Sequence, residues 1–547
     1  MATTGLLGTN LIRDATTKIL SVGTLAAGQY LRVNAGDTEV ESVAGSTISS
    51  IYDAIVPDDY ATPGALIAAL PGTFPTGGSF LIRSGTYTEA AALSVTDDNY
   101  RFFGQNKGDT IIDFDGTGSL SFDSGVTPYR TGTITYTAGS TAVVGVGTLF
   151  TTIAAAGPLV VERSLFIPDY GYIQIASITD DTNLVLLEVI PPNLSATGTS
   201  DWYVTEVLSG IHVENIMFIN EDTGPTVSFV GCDRPIVRNI CMIETSGLYF
   251  TDCWTPELVS FDIDHKDLLA AGKDGIVLNK TVDMIIDRGV ITQCFNGIST
   301  AGTETTIANI ANVSIKNNHN DGINCETAGL YSTMSDCVIE NNTRDGIRLG
   351  FSRVILTGVI SDFNLGYGLF GAAGNAVSYM GNSRFQRNES GGIDANVAFI
   401  EGSEIKSNLG HGIRIQSGDT GSRISGNRII NNDDRGIEVE ETRVSIIGNY
   451  IGENNQNTQV AEVNIAVGAD KCIITGNTIA VSVAGTDGVV IAANQCVASA
   501  NVLPTTDATQ NAYVISGDNN VVSSSNAFEY TTAVSNTGTG NVITDVL

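Results

Sequence analysis

Ile339-Glu340-Asn341-Asn342-Thr343-Arg344-Asp345-Gly346-Ile347 holds both halves of a phrase that returns along the middle of the chain. One half is an aliphatic residue followed by one or two asparagines, as in Ile315-Lys316-Asn317-Asn318 and Ile430-Asn431-Asn432, with Asn388 and Asn408 in matching places. The other half is a polar residue, a glycine and an aliphatic residue. It recurs as Asp274-Gly275-Ile276, Asn296-Gly297-Ile298, Asp321-Gly322-Ile323 and Tyr367-Gly368-Leu369. It continues as Gly391-Gly392-Ile393, His411-Gly412-Ile413, Arg435-Gly436-Ile437 and, after a gap, Asp487-Gly488-Val489. The first eight glycines are separated by steps of 22, 25, 24, 22, 24, 20 and 24 residues. A period in the twenties built on short aliphatic segments is the mark of a solenoid. Leucine-rich repeats share the period but need a dense Leu pattern, whereas this stretch uses Ile, Val, Asn and Gly. Beta-branched residues suit extended strands, and Gly and Asn tolerate the left-handed backbone of tight corners. Coils so built stack ~4.8 Å apart, and an Asn recurring at one corner can bond the coil above or below. The expected fold is all-β, a right-handed parallel β-helix. A β-sandwich with chance similarity would not keep its step over so many units.

With 547 residues, 42% of them hydrophobic, the chain can bury a large core, and its 60 glycines suit a fold rich in corners. The net charge of −32 argues against a nucleic-acid-binding surface and against docking on anionic membranes. An acidic surface with few lysines is compatible with a high-salt habitat and also with secreted or virion β-proteins. The cysteines Cys232, Cys241, Cys253, Cys294, Cys325, Cys337, Cys472 and Cys496 form no C-x-x-C pair, so zinc and redox motifs have no support and buried thiols are expected. No cofactor or metal is implied. No stretch reads as a signal peptide or a membrane span, so no membrane insertion is expected.

Taken in order, residues 1–48 are polar and include Leu25-Ala26-Ala27-Gly28-Gln29-Tyr30-Leu31-Arg32-Val33-Asn34, a candidate hairpin turning at Gly36-Asp37. This segment resembles stretches near the N-termini of tailed-virus fibre and spike proteins, where they belong to the part attached to the particle. In residues 49–129, Ile51, Ile55, Ala65, Leu66, Ala69 and Leu70 suggest helical faces interrupted by Pro57 and Pro63. Then follow Gly77-Gly78-Ser79-Phe80-Leu81-Ile82, Ser84-Gly85-Thr86-Tyr87 and Tyr100-Arg101-Phe102-Phe103-Gly104. That order resembles the opening of pectate-lyase-like β-helices, and the resemblance implies a short helix covering the first coil. Residues 130–205 are expected to form an inserted small β-barrel or sandwich. Their run from Gly132 to Phe150 resembles a small domain recurring in tailed-virus structural proteins, where such inserts serve docking or carbohydrate contact. Residues 206–547 return to coils and form the shaft.

Glycan hydrolysis needs two facing carboxylates, ~5–5.5 Å apart for retention or ~6.5–9.5 Å for inversion. Repeat-equivalent positions on neighbouring coils meet that need, which makes Asp321 with Asp345 one candidate. Asp262 with Asp264, alternating on one strand, is a second, and Glu438, Glu440 and Glu441 are a third. For every set the structural reading outweighs the catalytic one. Asp before Gly suits a turn, Asn296 fills the same slot without an acid, and alternating glutamates can simply solvate an outer face. The histidines His212, His265, His319 and His411 are scattered, no EF-hand or nonapeptide calcium repeat occurs, and the basic and acidic set of eliminating pectate lyases is missing. No catalytic residue and no metal ligand is assigned, and binding residues stay open. Taken together, the chain resembles a tail spike or tail fibre protein of a tailed, bacteriophage-type virus. The resemblance implies a virion location, a homotrimer, contact with other virion proteins through the N-terminal region, and attachment to a host-surface glycan or receptor. A polysaccharide depolymerase and a purely structural capsid or baseplate decoration are the alternatives.

Overall fold

The computed structural model describes residues 52–547 except 126–128, 156–162, 168–170, 193–194, 201, 221–224, 266–272, 301–305, 326–329, 351, 372–375, 419–420, 456–460, 483–484, 506–510 and 531. Before residue 52 it describes only the strands Leu11–Arg13, Ile19–Ser21, Gln29–Val33 and Val40–Ala44. Gln29–Val33 and Val40–Ala44 pair antiparallel, while the turn expected at Gly36-Asp37, like Ile51, lies outside the described residues.

One coil shows how the repeat becomes structure. Leu330–Ser335 forms a first face, Asp336 turns the chain, Val338–Glu340 forms a second face, Asn341 turns it again, and Ile347–Leu349 forms a third. Each strand pairs in parallel with its equivalents one coil before and after: Met334 lies between Ile310 and Leu356, and Ile347 between Ile323 and Leu369. The third faces together make a sixteen-stranded sheet. The chain is a right-handed parallel β-helix, as the period implies.

Inward side chains stack in columns. Ile286, Ile310, Met334, Leu356, Met380, Ile400, Ile424, Ile446 and Ile474 follow one another in register, and all are buried. At about 1.5–3 kcal/mol for each fully buried aliphatic side chain, such columns supply the driving force of the stack. Near the start of the shaft the filler is aromatic: Phe122, Phe229 and Phe250 stack with ring centroids 4.8 and 5.1 Å apart. All eight cysteines are buried and none is in a disulfide; burial pushes the Cys325 thiol up to about 12 and Cys337 up to about 11, so these two pack as inert small hydrophobes.

Both corners are left-handed. At the second corner Asn317, Asn341, Phe363, Arg387, Ser407 and Asn431 all have φ between 53° and 56°. The next residue points inward and is asparagine in coil after coil: Asn318, Asn342, Asn364, Asn388, Asn408, Asn432 and Asn454. Each donates its backbone N–H and its Nδ2 to the Oδ1 of the next, as in Asn318 to Asn342 at 3.2 and 2.8 Å. This is the expected ladder. A second one, Asn427, Asn449, Asn477 and Asn501, runs along the first corner. Because every rung satisfies buried donors that would otherwise be orphaned, the ladders fix register as well as stability.

The repeated glycines do a different job from the one expected. None of Gly275, Gly297, Gly322, Gly346, Gly368, Gly392, Gly412 or Gly436 is left-handed. A Cβ on Gly346 would sit 2.8 Å from Asn364 Nδ2 and 2.8 Å from Gly368 O, and one on Gly436 would sit 2.7 Å from Asn454 Nδ2. They are glycines because the ladder and the next coil fill the space, while the strained corner is left to other residues.

Pro63–Thr73 is a helix with Pro63 in its first turn, and the Thr62 hydroxyl accepts from Ala65 N at 3.2 Å. Its Leu66, Ile67 and Leu70 join the main core, whereas Ile55, read as helical from sequence, belongs to the strand Ala54–Val56. Between residues 133 and 206 lies a seven-stranded antiparallel sheet with its own core, in which Trp202 packs on Phe150 and donates from Nε1 to Gly132 O at 3.2 Å. No helix among the described residues is long and apolar enough to cross a membrane.

Candidate functional site

Stacking brings Asp321 and Asp345 onto neighbouring coils of the third face, as their spacing predicts, and then ties both up. Arg344 forks onto Asp321 through Nε (2.8 Å) and Nη2 (2.6 Å), and the Asp345 backbone N–H donates to Oδ1 at 3.0 Å. Asp321 is fully buried, and burial outweighs the Arg344 guanidinium, so its carboxyl rises to about 6. Asp345 accepts from Arg348 Nη1 at 2.8 Å and from Tyr367 N at 2.7 Å and is also buried. Neither faces a solvent groove, so the pair joins coils instead of flanking a substrate.

The glutamates fare alike. Glu438 accepts from Arg435 Nη1 at 2.8 Å and lies 3.3 Å from His411 Nε2. Glu440 accepts from Arg414 Nη2 at 2.8 Å, and although partial burial lowers the Arg414 guanidinium, Glu440, Asp394 and Glu438 together raise it above its usual range. Glu441 turns inward and accepts from Gly421 N (3.0 Å) and Ser422 Oγ (3.1 Å). The expectation that Glu438 solvates an outer face therefore fails: it is buried within an ion-pair network. Asp262 and Asp264 do share one side of the strand Glu257–Asp264, and Asp262 is exposed. Of the histidines, His265 is fully buried inside the second corner, and burial together with Lys273 lowers it to about 4. Among the described residues no group of three His, Cys, Asp or Glu side chains could hold a metal ion.

An open recess lies elsewhere, on the first face. A groove of about 510 Å³ crosses consecutive coils and is lined among others by Ile285, Asn309, Thr333 and Ile355, together with Asp283 and Arg353. The first four are register partners, one per coil, so they form a single outward column. Ile285 and Ile355 are 45% and 42% exposed, which is unusual for isoleucine and gives the column an apolar surface between its amide and hydroxyl. Thr333 Oγ1 donates to Asn309 Oδ1 at 2.9 Å. At the far end the pairing slips by one residue, since Val354 opposes Val377 but Ile355 opposes Tyr379. Ser378 is the extra residue of that bulge and lines the groove. None of these positions was singled out from sequence, because outward residues do not repeat.

Residues 246–397 match the family profile described as a right-handed beta helix region. No curated protein sequence matches the chain. Among solved structures, the tailspike protein gp49 of Pseudomonas phage LKA1 superposes with a TM-score of 0.41 at 12% identity, over 85% of this chain and 75% of that one. The Gp54 tailspike of Acinetobacter baumannii bacteriophage AP22, solved with capsular saccharide, gives 0.37 at 9% identity over 86% and 74%. The catalytic domain of a GH87 alpha-1,3-glucanase gives 0.43 at 9% identity over 84% and 72%. Likenesses of this degree carry no functional weight.

Proposed function

We propose that the chain is a tail spike or fibre of a tailed virus whose β-helical shaft attaches the particle to a glycan on the host surface. The observation that carries the reading is the first-face groove: an open recess on a rigid stack, lined by aliphatic, amide and hydroxyl groups with one acid and one arginine. Such a mixture fits a saccharide, which presents C–H faces and hydroxyl rims together. The N-terminal stretch and the segment from Gly132 to Phe150, by their resemblance to tailed-virus proteins, support a place on the particle, where residues 1–48 would engage other virion proteins. A homotrimer with three shafts side by side is part of the proposal. Cryo-EM of assembled particles should show a threefold appendage of this shape, and purified protein should compete with particles for host cells. Particles without such an appendage, or a protein that neither binds cells nor competes, would sink the reading and favour a decoration without receptor contact.

Depolymerisation is the second reading. The pectate-lyase-like opening and the stacked acids motivate it; Asp321, Asp345 and Glu440 are engaged by Arg344, Arg348 and Arg414, while Asp262 is exposed. Incubation with capsule or envelope glycans that releases no new reducing ends and no unsaturated products would count against it.

A further inference from the structure

We infer that the first-face column holds an uncharged, extended saccharide segment lying along the shaft axis. This rests on the attachment reading and names its site and ligand class.

The column is longer than the groove itself. After Ile355 it passes to its partner Tyr379 and then to Phe399, which sits beside Tyr379 because Met380 pairs with Ile400. Six coils thus present Ile285, Asn309, Thr333, Ile355, Tyr379 and Phe399 in a line. Five steps at about 4.8 Å make a track ~24 Å long, room for a run of several pyranose rings and far more than one ring needs. A ligand crossing the coils would meet only one or two of these groups, whereas one lying along the axis meets them all.

The order of the side chains carries the rest. The apolar groups stand at the two ends, Ile285 at one and Ile355, Tyr379 and Phe399 at the other. Phe399 is 49% exposed, and the Tyr379 ring lies against Gly381, where a Cβ would come within 2.7 Å of it. Flat rings and aliphatic faces of this kind accept the C–H side of a sugar. In the middle, the bond from Thr333 takes the Asn309 oxygen and leaves its NH2 as a donor for ring or hydroxyl oxygens. Charge sets the class. Asp283 and Arg353 line the same groove with opposite signs, and a protein of net charge −32 repels a polyanion before contact. Neutral hexoses and N-acetylhexosamines fit; uronate- or sialate-rich chains do not.

The test is a printed array of bacterial oligosaccharides and polysaccharides, uncharged and acidic, probed with the full chain. Three variants at exposed positions accompany it: Asn309→Ala, Ile355→Asp and Phe399→Ala, each checked for an unchanged melting curve. Uncharged glycans should bind. Phe399→Ala and Asn309→Ala should each weaken that binding by about three- to tenfold, and Ile355→Asp by more than tenfold. Signal confined to acidic glycans, or uncharged binding that survives all three variants, overturns the track while leaving the attachment reading intact. No signal from any glycan, with no adsorption to cells, overturns both. If Ile355→Asp alone fails to fold, the two alanine variants decide.

Discussion

The first asparagine ladder ends on an acid, and that acid should make the shaft pH-sensitive. Asn454 donates its backbone N–H to Glu462 Oε1 at 3.1 Å and its Nδ2 to Oε2 at 2.6 Å, so Glu462 stands where the next asparagine would be. The side chain is fully buried, and burial pushes its carboxyl up to about 8 from an ordinary 4.5, although the two Asn454 bonds pull the other way. Above 4.5 the unfolded chain has released this proton while the folded chain keeps it. Folding then takes up a proton, and stability falls with rising pH until the folded carboxyl ionises near 8. At about 1.4 kcal/mol per pH unit, that window amounts to several kcal/mol as a ceiling. Glu462→Gln removes the titration and keeps an amide oxygen that can accept both Asn454 donors, as each ladder asparagine does. Hydrogen exchange across the strand Tyr450–Gly452 and the neighbouring Asn454 is the direct assay, because coils open locally. Protection in the parent chain should fall between pH 5 and pH 9 beyond the intrinsic exchange rate, and in Glu462→Gln it should not. Equal pH dependence in both would refute the reasoning.

Other perturbations separate the roles assigned to asparagine, glycine and histidine. Asn388→Ala strands the donors of Asn364 in the middle of the ladder and should cost about 1–3 kcal/mol, read as a lower denaturation midpoint. Gly346→Ala should destabilise by a similar ~1–3 kcal/mol through the clash with Ser361, Asn364 and Gly368. Gly448→Ala, at φ 65° with open space around it, should cost only the ~1 kcal/mol of a left-handed alanine; equal losses would return the repeated glycines to a conformational role. His265 is buried, neither ring nitrogen has a hydrogen-bond partner among the described residues, and burial lowers it to about 4, so it binds its proton less readily folded than unfolded. Stability should therefore be lost as pH falls from about 6.5 towards 4, and His265→Leu should flatten that acid limb of a melting-temperature profile.

The fold was legible because its interior repeats. Aliphatic columns, ladder asparagines and crowded glycines each face the same neighbours one coil later, so the same residue type is demanded every 20 to 28 positions. What misled was the reason for the glycine. Backbone freedom and lack of a side chain leave the same mark in a sequence, and only the placement of Asn364 Nδ2 beside Gly346 tells them apart. For Asp321 and Asp345 the structural reading holds. Asp321 and Asp345 were correctly placed one above the other, but their partners Arg344 and Arg348 hold them shut, and a spacing argument does not count partners.

The first-face track escaped because the connection from the third face back to the first varies in length. Thr333 lies 11 residues after Gly322, but Ile355 only 9 after Gly346 and Phe399 only 7 after Gly392. Aligning on glycines therefore smears the column. From the other side the count is constant: Asn309, Thr333, Ile355, Tyr379 and Phe399 each stand nine residues before a ladder asparagine, at 318, 342, 364, 388 and 408. The strand, corner, strand and corner between them admit no insertion, since each is pinned to the coils on both sides. Counting back nine from Asn432 and Asn454 gives Arg423 and Ser445, and counting back from Cys294, the buried residue whose N–H donates to Asn318, gives Ile285. The register confirms Arg423 and Ser445 as the next members of the column after Phe399. An outward column is thus readable from sequence once the ladder, not the glycine, is taken as the origin. On that count the change from Phe399 to Arg423 marks where the apolar track gives way to charge.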